Sequence, residues 1–456
     1  MDAVLLVLIL GVNLVLWTAV GGVRFTGERL RSRSDPPPAA GRRLSPTDVA
    51  VLIPAHNEEP VIAATIDSVL RLVPARSVHV IADGCRDATA AIARARGVHV
   101  LELNPGRGKA GGIQAAVAHF DLPNRYQVML LADADTRLDQ RYLERGLPML
   151  DQPGVVALAG YAIAGWRPRE LSLVGRYLIS YRTRLYAVMQ WLKYGQTWRW
   201  TNVTAIVPGF ASMYRTSVLA AMDLNPPGLV IEDFNMTFEI HHKRLGKIAF
   251  RPGVHATTQD PDNFGDYYRQ VLRWHLGFWQ TLRRHGLWRS WFCAALVVFL
   301  TEVLLASIGI ILLVGLLLVM GTLTLVGQDP LAGGWLAGPS GFTGDYLTPT
   351  NLLLFLVLPD YLLTCLTALA FRRPSLMLYG LGFLGLRFVD SIAALAAIPM
   401  AWRTRSTGQW TSPTRRPIGP ATGPDPPSGR SDPPSDRSDP AVPLDSPQVP
   451  EPGGRS

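Results

Sequence analysis

Two carboxylates stand one residue apart at the end of an apolar segment. Asp133 and Asp135 flank Ala134 in YQVMLLADAD, and the apolar run before them predicts a buried strand. Residues two apart in an extended chain project to the same side, so both carboxylates can face one ligand. Convergent carboxylates with open coordination positions hold Mg²⁺ or Mn²⁺ against a diphosphate. The pair therefore indicates a metal site, with an ordinary surface turn as the alternative, because D-x-D is common in turns.

A second acidic pair lies about a hundred residues further along the chain. In IEDFNMTFEIHHKRLG, Glu232 and Asp233 stand just before a predicted helix that ends near Gly246. An Asp at the start of a helix commonly caps backbone N–H groups. A carboxylate can also accept a proton in catalysis. The residues alone therefore leave two roles open for Asp233, a helix cap and a catalytic base.

An aromatic-rich helix is predicted in YYRQVLRWHLGFWQ, shortly before a long apolar run begins at Trp291. It contains Gln270, Arg273 and Trp274 in a Q-x-x-R-W arrangement. Polar groups and a tryptophan at a membrane boundary suit a site that receives a sugar. The alternative is an interfacial belt of aromatic side chains.

A glycine-rich loop, GRGKAGG, surrounds Lys109 and is similar to a P-loop. Walker A requires G-x-x-x-x-G-K-[ST], whereas position 103 is Leu and Ala110 follows the lysine. A P-loop is therefore excluded.

The elements that must position these groups alternate between strand and helix from Asp48 onward. The segments VAVLIPA, SVHVIADG, HVLEL and YQVMLLADAD read as strands, and the helical segments HNEEPVIAATIDSVLRL, DATAAIARARG and GGIQAAVAHF lie between them. This order predicts an α/β fold with a largely parallel sheet and helices on both faces. Ligands of such sheets bind at the carboxyl ends of the strands.

Composition is compatible with one globular domain and several membrane segments, since 48% of the 456 residues are hydrophobic. A net charge of +9 would suit nucleic acid, but much of the arginine clusters beside apolar runs, as in positive-inside anchoring. We therefore expect a membrane partner and no nucleic acid. Three distant cysteines, Cys85, Cys293 and Cys365, indicate neither a disulfide framework nor a metal knuckle. This cysteine usage fits a reduced domain that faces the cytoplasm.

Taken together, LLADADT, IEDF and Q-x-x-R-W resemble the membrane-integrated family 2 glycosyltransferases, the group of the cellulose, chitin, hyaluronan and poly-N-acetylglucosamine synthases. The resemblance runs from about Val49 to Trp274, with a weaker match near Trp410. It implies a GT-A, Rossmann-like nucleotide-sugar transferase domain with transmembrane and interfacial helices. It also implies an inverting reaction with Mg²⁺ or Mn²⁺ as cofactor and a UDP-sugar, GlcNAc or glucose, as donor.

The same resemblance implies a role for individual residues. Asp233 is the expected catalytic base, and Asp133 and Asp135 are the expected metal ligands. The nucleotide sugar is expected to contact Pro54, Ala55, Glu58, Asp83, Lys109, Asp133, Gln270 and Arg273. The acceptor is expected to contact Trp274, Glu232, Gly209 and Phe210. The residues themselves leave purely structural alternatives open: an Asp-Gly turn at Asp83, a solvated loop lysine at Lys109, and a plain buried strand around Gly209.

The apolar runs divide the chain into a soluble domain and membrane segments. The third run carries Arg387 and Asp390 and is predicted as interfacial, re-entrant or transmembrane. The predicted order is a transmembrane helix at 1–23, a basic Pro-rich linker at 24–47, a cytoplasmic GT-A domain at 48–264, interfacial helices at 265–290, a transmembrane helix at 291–326, an extracytoplasmic loop at 327–350, a transmembrane helix at 351–371, the third run at 375–402, a gating segment at 403–416 and a disordered tail at 417–456.

Three functions are compatible with these features. The first is a plasma-membrane synthase that builds a β-linked polysaccharide and exports it, with a growing glycan as acceptor. The second adds one sugar to a membrane lipid, and the third is a non-catalytic scaffold or export subunit. Because few membrane segments are present, a polymer synthase would use a small membrane partner or form a homo-oligomer.

Overall fold

The computed structural model describes residues 19–23, 26–27, 43–194, 198–199, 201–327, 349–404 and 415–416. Most of the predicted N-terminal membrane helix and linker, nearly all of the 327–350 loop, most of the gating segment and the whole tail lie outside the described residues. Those assignments stay predictions.

An eight-stranded mixed sheet lies at the centre of the region that precedes the apolar helices. Its strands are β1 Val49–Ala55, β2 Val78–Asp83, β3 His99–Leu103, β4 Val128–Ala132, β5 Arg137–Leu138, β6 Val155–Ala164, β7 Ala211–Arg215 and β8 Lys247–Thr258. They lie in the order β3-β2-β1-β4-β7-β6-β8-β5. Strands β1 to β4 pair in parallel, but β7 runs antiparallel to both β4 and β6. The predicted α/β fold is confirmed. The parallel arrangement holds for the first four strands, whereas the second half of the sheet is mixed.

The central strands are apolar along their whole length because both of their faces are covered. Every residue of β1 and of β4 is buried. Continuous apolar runs of this kind are typical of strands sandwiched between helices. The soluble helices are α1 Glu59–Leu70, α2 Thr89–Ala95, α3 Gly108–His119, α4 Leu122–Arg125, α5 Tyr142–Leu150, α6 Leu173–Ala187 and α7 Glu232–His242. A π-helical segment, Val188–Tyr194, extends α6.

Helix α8, Phe264–His285, carries the Q-x-x-R-W motif between the sheet and the apolar helices. It begins where the Asn263 side chain accepts a hydrogen bond from the backbone N–H of Asp266, an N-cap. It ends at Gly286, whose φ of 67° favours glycine. Helix α8 packs along the last apolar helix, so the sheet domain is joined to the membrane segments through this motif.

Within the described residues, three helices are long and apolar enough to cross a membrane: α9 Trp291–Leu325, α10 Pro349–Ala370 and α12 Phe383–Arg403. At 1.5 Å per residue α9 is about 50 Å long, whereas the hydrocarbon core of a bilayer is about 30 Å thick. If α9 crosses a bilayer upright, part of the helix therefore extends beyond the hydrocarbon. The predicted run 375–402 is divided into the short helix α11, Ser375–Gly380, and α12.

Candidate active site

A cavity of about 860 Å³ begins at the carboxyl ends of the central strands and continues between the apolar helices. Ten of the fourteen predicted site residues line it: Lys109, Asp133, Asp135, Gly209, Phe210, Glu232, Asp233, Gln270, Arg273 and Trp274. The remaining predictions, Pro54, Ala55, Glu58 and Asp83, are not among its lining residues. Motifs that are far apart in the chain thus meet in one cavity.

Asp83 holds the glycine-rich loop in place. Its two carboxylate oxygens accept hydrogen bonds from the backbone N–H groups of Arg107 (2.6 Å) and Gly108 (2.8 Å). Both oxygens are therefore used in shaping the loop that leads to Lys109. The predicted nucleotide contact of Asp83 stays a prediction, and its structural role is to connect β2 to the start of α3.

The D-x-D pair lies in a turn that follows β4. The backbone N–H of Thr136 donates to the carbonyl of Asp133 (3.0 Å), and the Thr65 hydroxyl donates to the carbonyl of Ala134 (2.6 Å). The predicted extended geometry is therefore wrong, because the chain turns as soon as β4 ends at Ala132. The turn is nonetheless buried: Asp135 is only 4% exposed.

The two carboxylates of this turn contact different cations. Asp133 Oδ1 lies 2.7 Å from Lys109 Nζ, and Asp135 Oδ2 lies 2.5 Å from Arg415 Nη1. Burial raises the pKa of Asp135 to about 7, against the lowering effect of Arg415. The ionised form of such a buried carboxyl group is stabilised by any cation close to it.

Lys109 joins the D-x-D turn to the second acidic pair. Its Nζ lies 2.7 Å from both Asp133 Oδ1 and Glu232 Oε1 and donates to the carbonyl of Gly209 (3.3 Å). Burial opposes the charge of Lys109, but the carboxylates of Asp133 and Glu232 outweigh burial and raise its pKa. A Cβ on Gly209 would come within 2.8 Å of Glu232 Oε1 and 2.9 Å of Lys109 Nζ. The close approach therefore requires glycine at this position.

Asp233 lies in the first turn of α7 and faces the cavity. Its Oδ2 accepts from the backbone N–H of Gly209 (3.2 Å) and its Oδ1 from that of Phe234 (2.6 Å). Burial, and then the neighbouring charge of Glu232, raise the pKa of Asp233 to about 7, although Lys109 opposes the rise. A carboxyl group with a pKa close to physiological pH suits proton acceptance.

The Q-x-x-R-W motif is organised around an arginine that sequence reasoning missed. Arg182 Nη2 donates to Gln270 Oε1 (2.7 Å), and its guanidinium carbon lies 4.4 Å from the centre of the Trp274 ring. Arg182 belongs to α6 and its side chain is fully buried. Arg273 lines the cavity beside this pair. The only sequence signal for Arg182 was a charged residue within an otherwise buried, aromatic stretch of helix.

A second missed residue is Arg415, within the segment predicted to act as a gate. Its Nε donates to Glu58 Oε2 (3.0 Å) and its Nη1 to Asp135 Oδ2. The adjacent Arg416 exchanges two 3.1 Å hydrogen bonds between its backbone and the side-chain amide of Gln259. Glu58 thus contributes to the site indirectly, as a partner of Arg415, and Arg415 contacts the predicted metal ligand Asp135. The gating role of its segment stays a prediction.

Ion pairs continue into the apolar helices. Lys193 Nζ lies 2.7 Å from Glu302 Oε2 of α9, and both residues line the cavity. Asp390 of α12 accepts hydrogen bonds from the hydroxyls of Tyr181 (2.7 Å) and Tyr267 (2.5 Å). The membrane end of the cavity is therefore lined by polar groups that already have partners.

The residues present fit a divalent ion. Two carboxylates are the protein ligands that Mg²⁺ commonly uses when substrate phosphates and water complete its shell. Asp135 is buried and already pairs with a cation, the guanidinium of Arg415, which marks the position as one that accepts positive charge. Across the described residues, no group of three or more His, Cys, Asp or Glu side chains is arranged to hold a metal ion.

Comparison with known proteins places the soluble part in a family. Residues 46–277 match the family model described as "Glycosyltransferase like family 2". The "Probable glycosyltransferase YdaM" of Bacillus subtilis (strain 168) is 27% identical over 244 residues, which is 50% of this chain and 54% of that protein. The match thus spans about half the length of the relative.

Solved structures with low sequence identity are also similar. A mannosyltransferase from Pyrobaculum calidifontis, solved with GDP-Man and Mn²⁺, is 16% identical, with a TM-score of 0.45, over 84% of this chain and 98% of its own. Glucosyl-3-phosphoglycerate synthase from Mycobacterium tuberculosis, solved with Mn²⁺, UDP and phosphoglyceric acid, is 17% identical, with a TM-score of 0.35, over 53% of this chain and 79% of its own.

The family model covers about half of the chain and spans the D-x-D turn, the E-D pair and the Q-x-x-R-W helix. The expectation of a family 2 glycosyltransferase is confirmed. The chain belongs to the glycosyltransferase family 2.

Proposed function

We propose that the protein is a membrane hexosyltransferase that takes a sugar from a UDP-sugar, inverts the anomeric centre, and builds a β-linked polysaccharide that leaves through its membrane segments. The observation that carries this proposal is the single cavity that joins the D-x-D turn to the apolar helices. An acceptor held at Trp274 has the acid–base group on one side and the membrane segments on the other.

The catalytic base is Asp233. Its carboxylate accepts the proton of the acceptor hydroxyl while that oxygen attacks the anomeric carbon in line, and the bond to the nucleotide diphosphate breaks. Such proton transfer contributes on the order of 10² to 10⁴ in rate. The backbone N–H groups of Gly209 and Phe234 keep the carboxylate oriented toward the cavity.

The donor site is formed around the D-x-D turn. Asp133 and Asp135 would hold Mg²⁺ or Mn²⁺, which would offset the negative charge on the departing diphosphate. Lys109 pairs with Asp133, and Arg273 lines the same cavity. Both would add positive charge to the site of the diphosphate. The uridine is assigned to the end of β1 and β2, next to Pro54 and Ala55.

The polymer is favoured by the polar lining of the membrane end. Charged side chains inside membrane segments are costly, and they commonly mark the path of a hydrophilic substrate. Glu302, Arg387 and Asp390 all line the part of the cavity between the apolar helices. A hydrated glycan can pass such groups, whereas an acyl chain gains nothing from them.

A glycolipid synthase is the second candidate, and the apolar side of the same cavity supports it. Leu300, Val303, Leu304 and Ile310 of α9 also line the membrane end. An acyl chain could lie against these residues while the lipid headgroup is held at Trp274. In that case one sugar would be added and no polymer would form.

The length of the product distinguishes a polysaccharide synthase from a glycolipid synthase. Full-length protein in lipid nanodiscs with Mn²⁺ is incubated with radiolabelled UDP-GlcNAc, UDP-Glc, UDP-GlcA and UDP-Gal in turn, and the products are separated by size. We expect one donor to yield a long, water-soluble β-linked product. A single labelled lipid would support the glycolipid synthase instead. UDP release no greater than that of an Asp233→Asn control would contradict both and favour a non-catalytic scaffold.

A further inference from the structure

Arg182 is fully buried among the residues of the Q-x-x-R-W helix, and neither the proton transfer nor the donor site uses it. Its guanidinium carbon lies 4.6 Å from the centre of the Tyr267 ring and 4.4 Å from that of Trp274. Tyr267, Gln270 and Trp274 are spaced i, i+3 and i+7, so they share one face of α8. One side chain from α6 thus contacts three residues of that face.

The burial of Arg182 lowers the stability of the fold, which is unexpected for a residue with only a structural role. Among the described residues, its buried Nε and Nη1 have no hydrogen-bond acceptor, and the nearest carboxylate oxygen, Asp260 Oδ1, is 3.8 Å from Nε. A buried charge with incomplete hydrogen bonding lowers stability compared with an apolar residue of similar size. The aromatic rings compensate in part, because cations are attracted to the faces of Trp and Tyr.

This arrangement restricts the orientation of Trp274. The cation holds one face of the indole ring, and the hydrogen bond to Gln270 holds the helix turn on which Trp274 stands. The ring cannot rotate without losing the cation contact. A stacking platform of fixed plane is what a terminal sugar requires if its hydroxyl is to be aligned with Asp233, since small displacements of a reacting group greatly reduce rate.

We propose that Arg182 is the positioning residue of the acceptor platform, acting through Trp274 and Gln270 to fix the plane against which the terminal acceptor sugar stacks. This inference rests on the proposed function, because it assumes that Trp274 receives the acceptor. We expect Arg182 to act through these two side chains and not by direct contact with the sugar, because its side chain is fully buried beneath them.

The test is a double-mutant cycle with the full-length protein and the radiolabelled donor that the wild type uses. Arg182→Met retains volume but removes the cation and the hydrogen bond to Gln270. We expect it to lower the rate of sugar transfer to the acceptor by roughly 10- to 100-fold. Donor hydrolysis, in which water takes the sugar and UDP leaves, does not use the acceptor platform, so the ratio of transfer to UDP release should fall. The product should be shorter, and UDP affinity should stay within about twofold of wild type. Arg182→Lys, which keeps the charge but not the planar fork, should recover part of the loss.

The cycle is completed with Trp274→Ala and the double variant. If Arg182 acts through the ring, the double variant transfers sugar no worse than Trp274→Ala alone. Additive losses in the two single variants would overturn the proposal, as would an unchanged ratio of transfer to UDP release in Arg182→Met.

Arg184→Met is the matched control. Arg184 is a second buried arginine on the same helix, and its contacts within the described residues are with Asp360 (2.6 Å) and Thr364 of α10 and with the rings of Tyr181 and Phe383, not with Gln270, Arg273 or Trp274. Its loss should lower thermal stability without changing the ratio of transfer to UDP release. An equal change of that ratio in both arginine variants would show a general packing effect and overturn the proposal. Absence of any transfer by the wild type would instead contradict the proposed function.

Discussion

The cavity has a sheet end, around Asp133 and Asp233, and a membrane end, around Glu302 and Asp390. Both ends contain buried charged groups, but the ratio of acidic to basic groups differs between them. At the sheet end, carboxylates outnumber the cations that contact them: Glu58, Asp133, Asp135, Glu232 and Asp233 share Lys109 and Arg415. At the membrane end, each acidic group of the lining has a partner: Glu302 contacts Lys193, and Asp390 accepts hydrogen bonds from the hydroxyls of Tyr181 and Tyr267. Beside the lining, Asp360 contacts both Arg184 and Arg387.

The sheet end is therefore the part of the cavity that favours an additional cation. Two carboxyl groups at the sheet end, Asp135 and Asp233, have pKa values raised to about 7, chiefly by burial. Unneutralised carboxylates out of water are costly, and a divalent ion would relieve that cost. The charged groups at the membrane end already have partners, so they favour no further ion.

The largest effect is expected where the sheet end loses its metal ligand. Asp135→Ala should abolish sugar transfer even with excess Mn²⁺, because the diphosphate then has no ion to offset its charge. Chelation with EDTA should do the same to the wild type, and added Mn²⁺ should restore the wild type alone. Full transfer in excess EDTA would show that the sheet end does not use a metal.

A smaller but still large loss is expected at the base. Asp233→Asn should lower turnover by roughly 10² or more, because the amide cannot accept a proton, while calorimetric titration should show nearly unchanged UDP affinity.

The same residue predicts a pH dependence. A carboxylate accepts a proton only when it is ionised, and the pKa of Asp233 is raised to about 7 by burial and by Glu232. Turnover of the wild type should therefore rise as pH increases through about 7. A profile that is flat between pH 5.5 and 8.5, or wild-type turnover in Asp233→Asn, would remove Asp233 from the role of base.

At the membrane end, breaking a pair should affect stability rather than metal dependence. Glu302→Leu leaves Lys193 buried without its carboxylate, which we expect to lower the free energy of unfolding by about 3 kcal/mol. Replacing both residues, with Lys193→Met and Glu302→Leu, should recover most of that loss. Thermal unfolding in nanodiscs measures both. Equal destabilisation by the single and double variants would show that the two charges are not coupled.

The smallest effect concerns Arg415. Its guanidinium and a divalent ion would compete for Asp135 Oδ2 when no nucleotide is bound. Arg415→Ala should therefore tighten Mn²⁺ binding to the nucleotide-free protein by about tenfold, equivalent to about 1.4 kcal/mol, as measured by electron paramagnetic resonance.

Arg416→Ala is the control for this measurement, since Arg416 contacts Asp262 (3.2 Å) and not the D-x-D turn. It should leave Mn²⁺ affinity unchanged. Weaker Mn²⁺ binding in Arg415→Ala would mean that the arginine supports the ion instead of competing with it.

Much of the site was predictable because its chemistry lies at the ends of regular elements. The D-x-D pair follows a strand that is apolar throughout, Asp233 begins a helix, and Trp274 lies on an amphipathic helix before the apolar runs. Strand and helix periods are local properties of the chain, and the carboxyl ends of parallel strands meet at one edge. For the same reason the first four strands pair as predicted.

The partners of these groups were decided by tertiary structure. Arg182 and Gln270 are 88 positions apart, and Arg415 and Asp135 are 280 apart. A hydrophobic period shows which face of an element is buried, but it does not show which distant charge will be buried with it. The antiparallel course of β7 and the turn at Asp133 could not be predicted from the sequence either, because each depends on the neighbours that accept the backbone hydrogen bonds. The sequence alone determined which residues could do chemistry; only packing between distant elements decided which charges hold them in position, because electrostatic pairing acts through space and not along the chain.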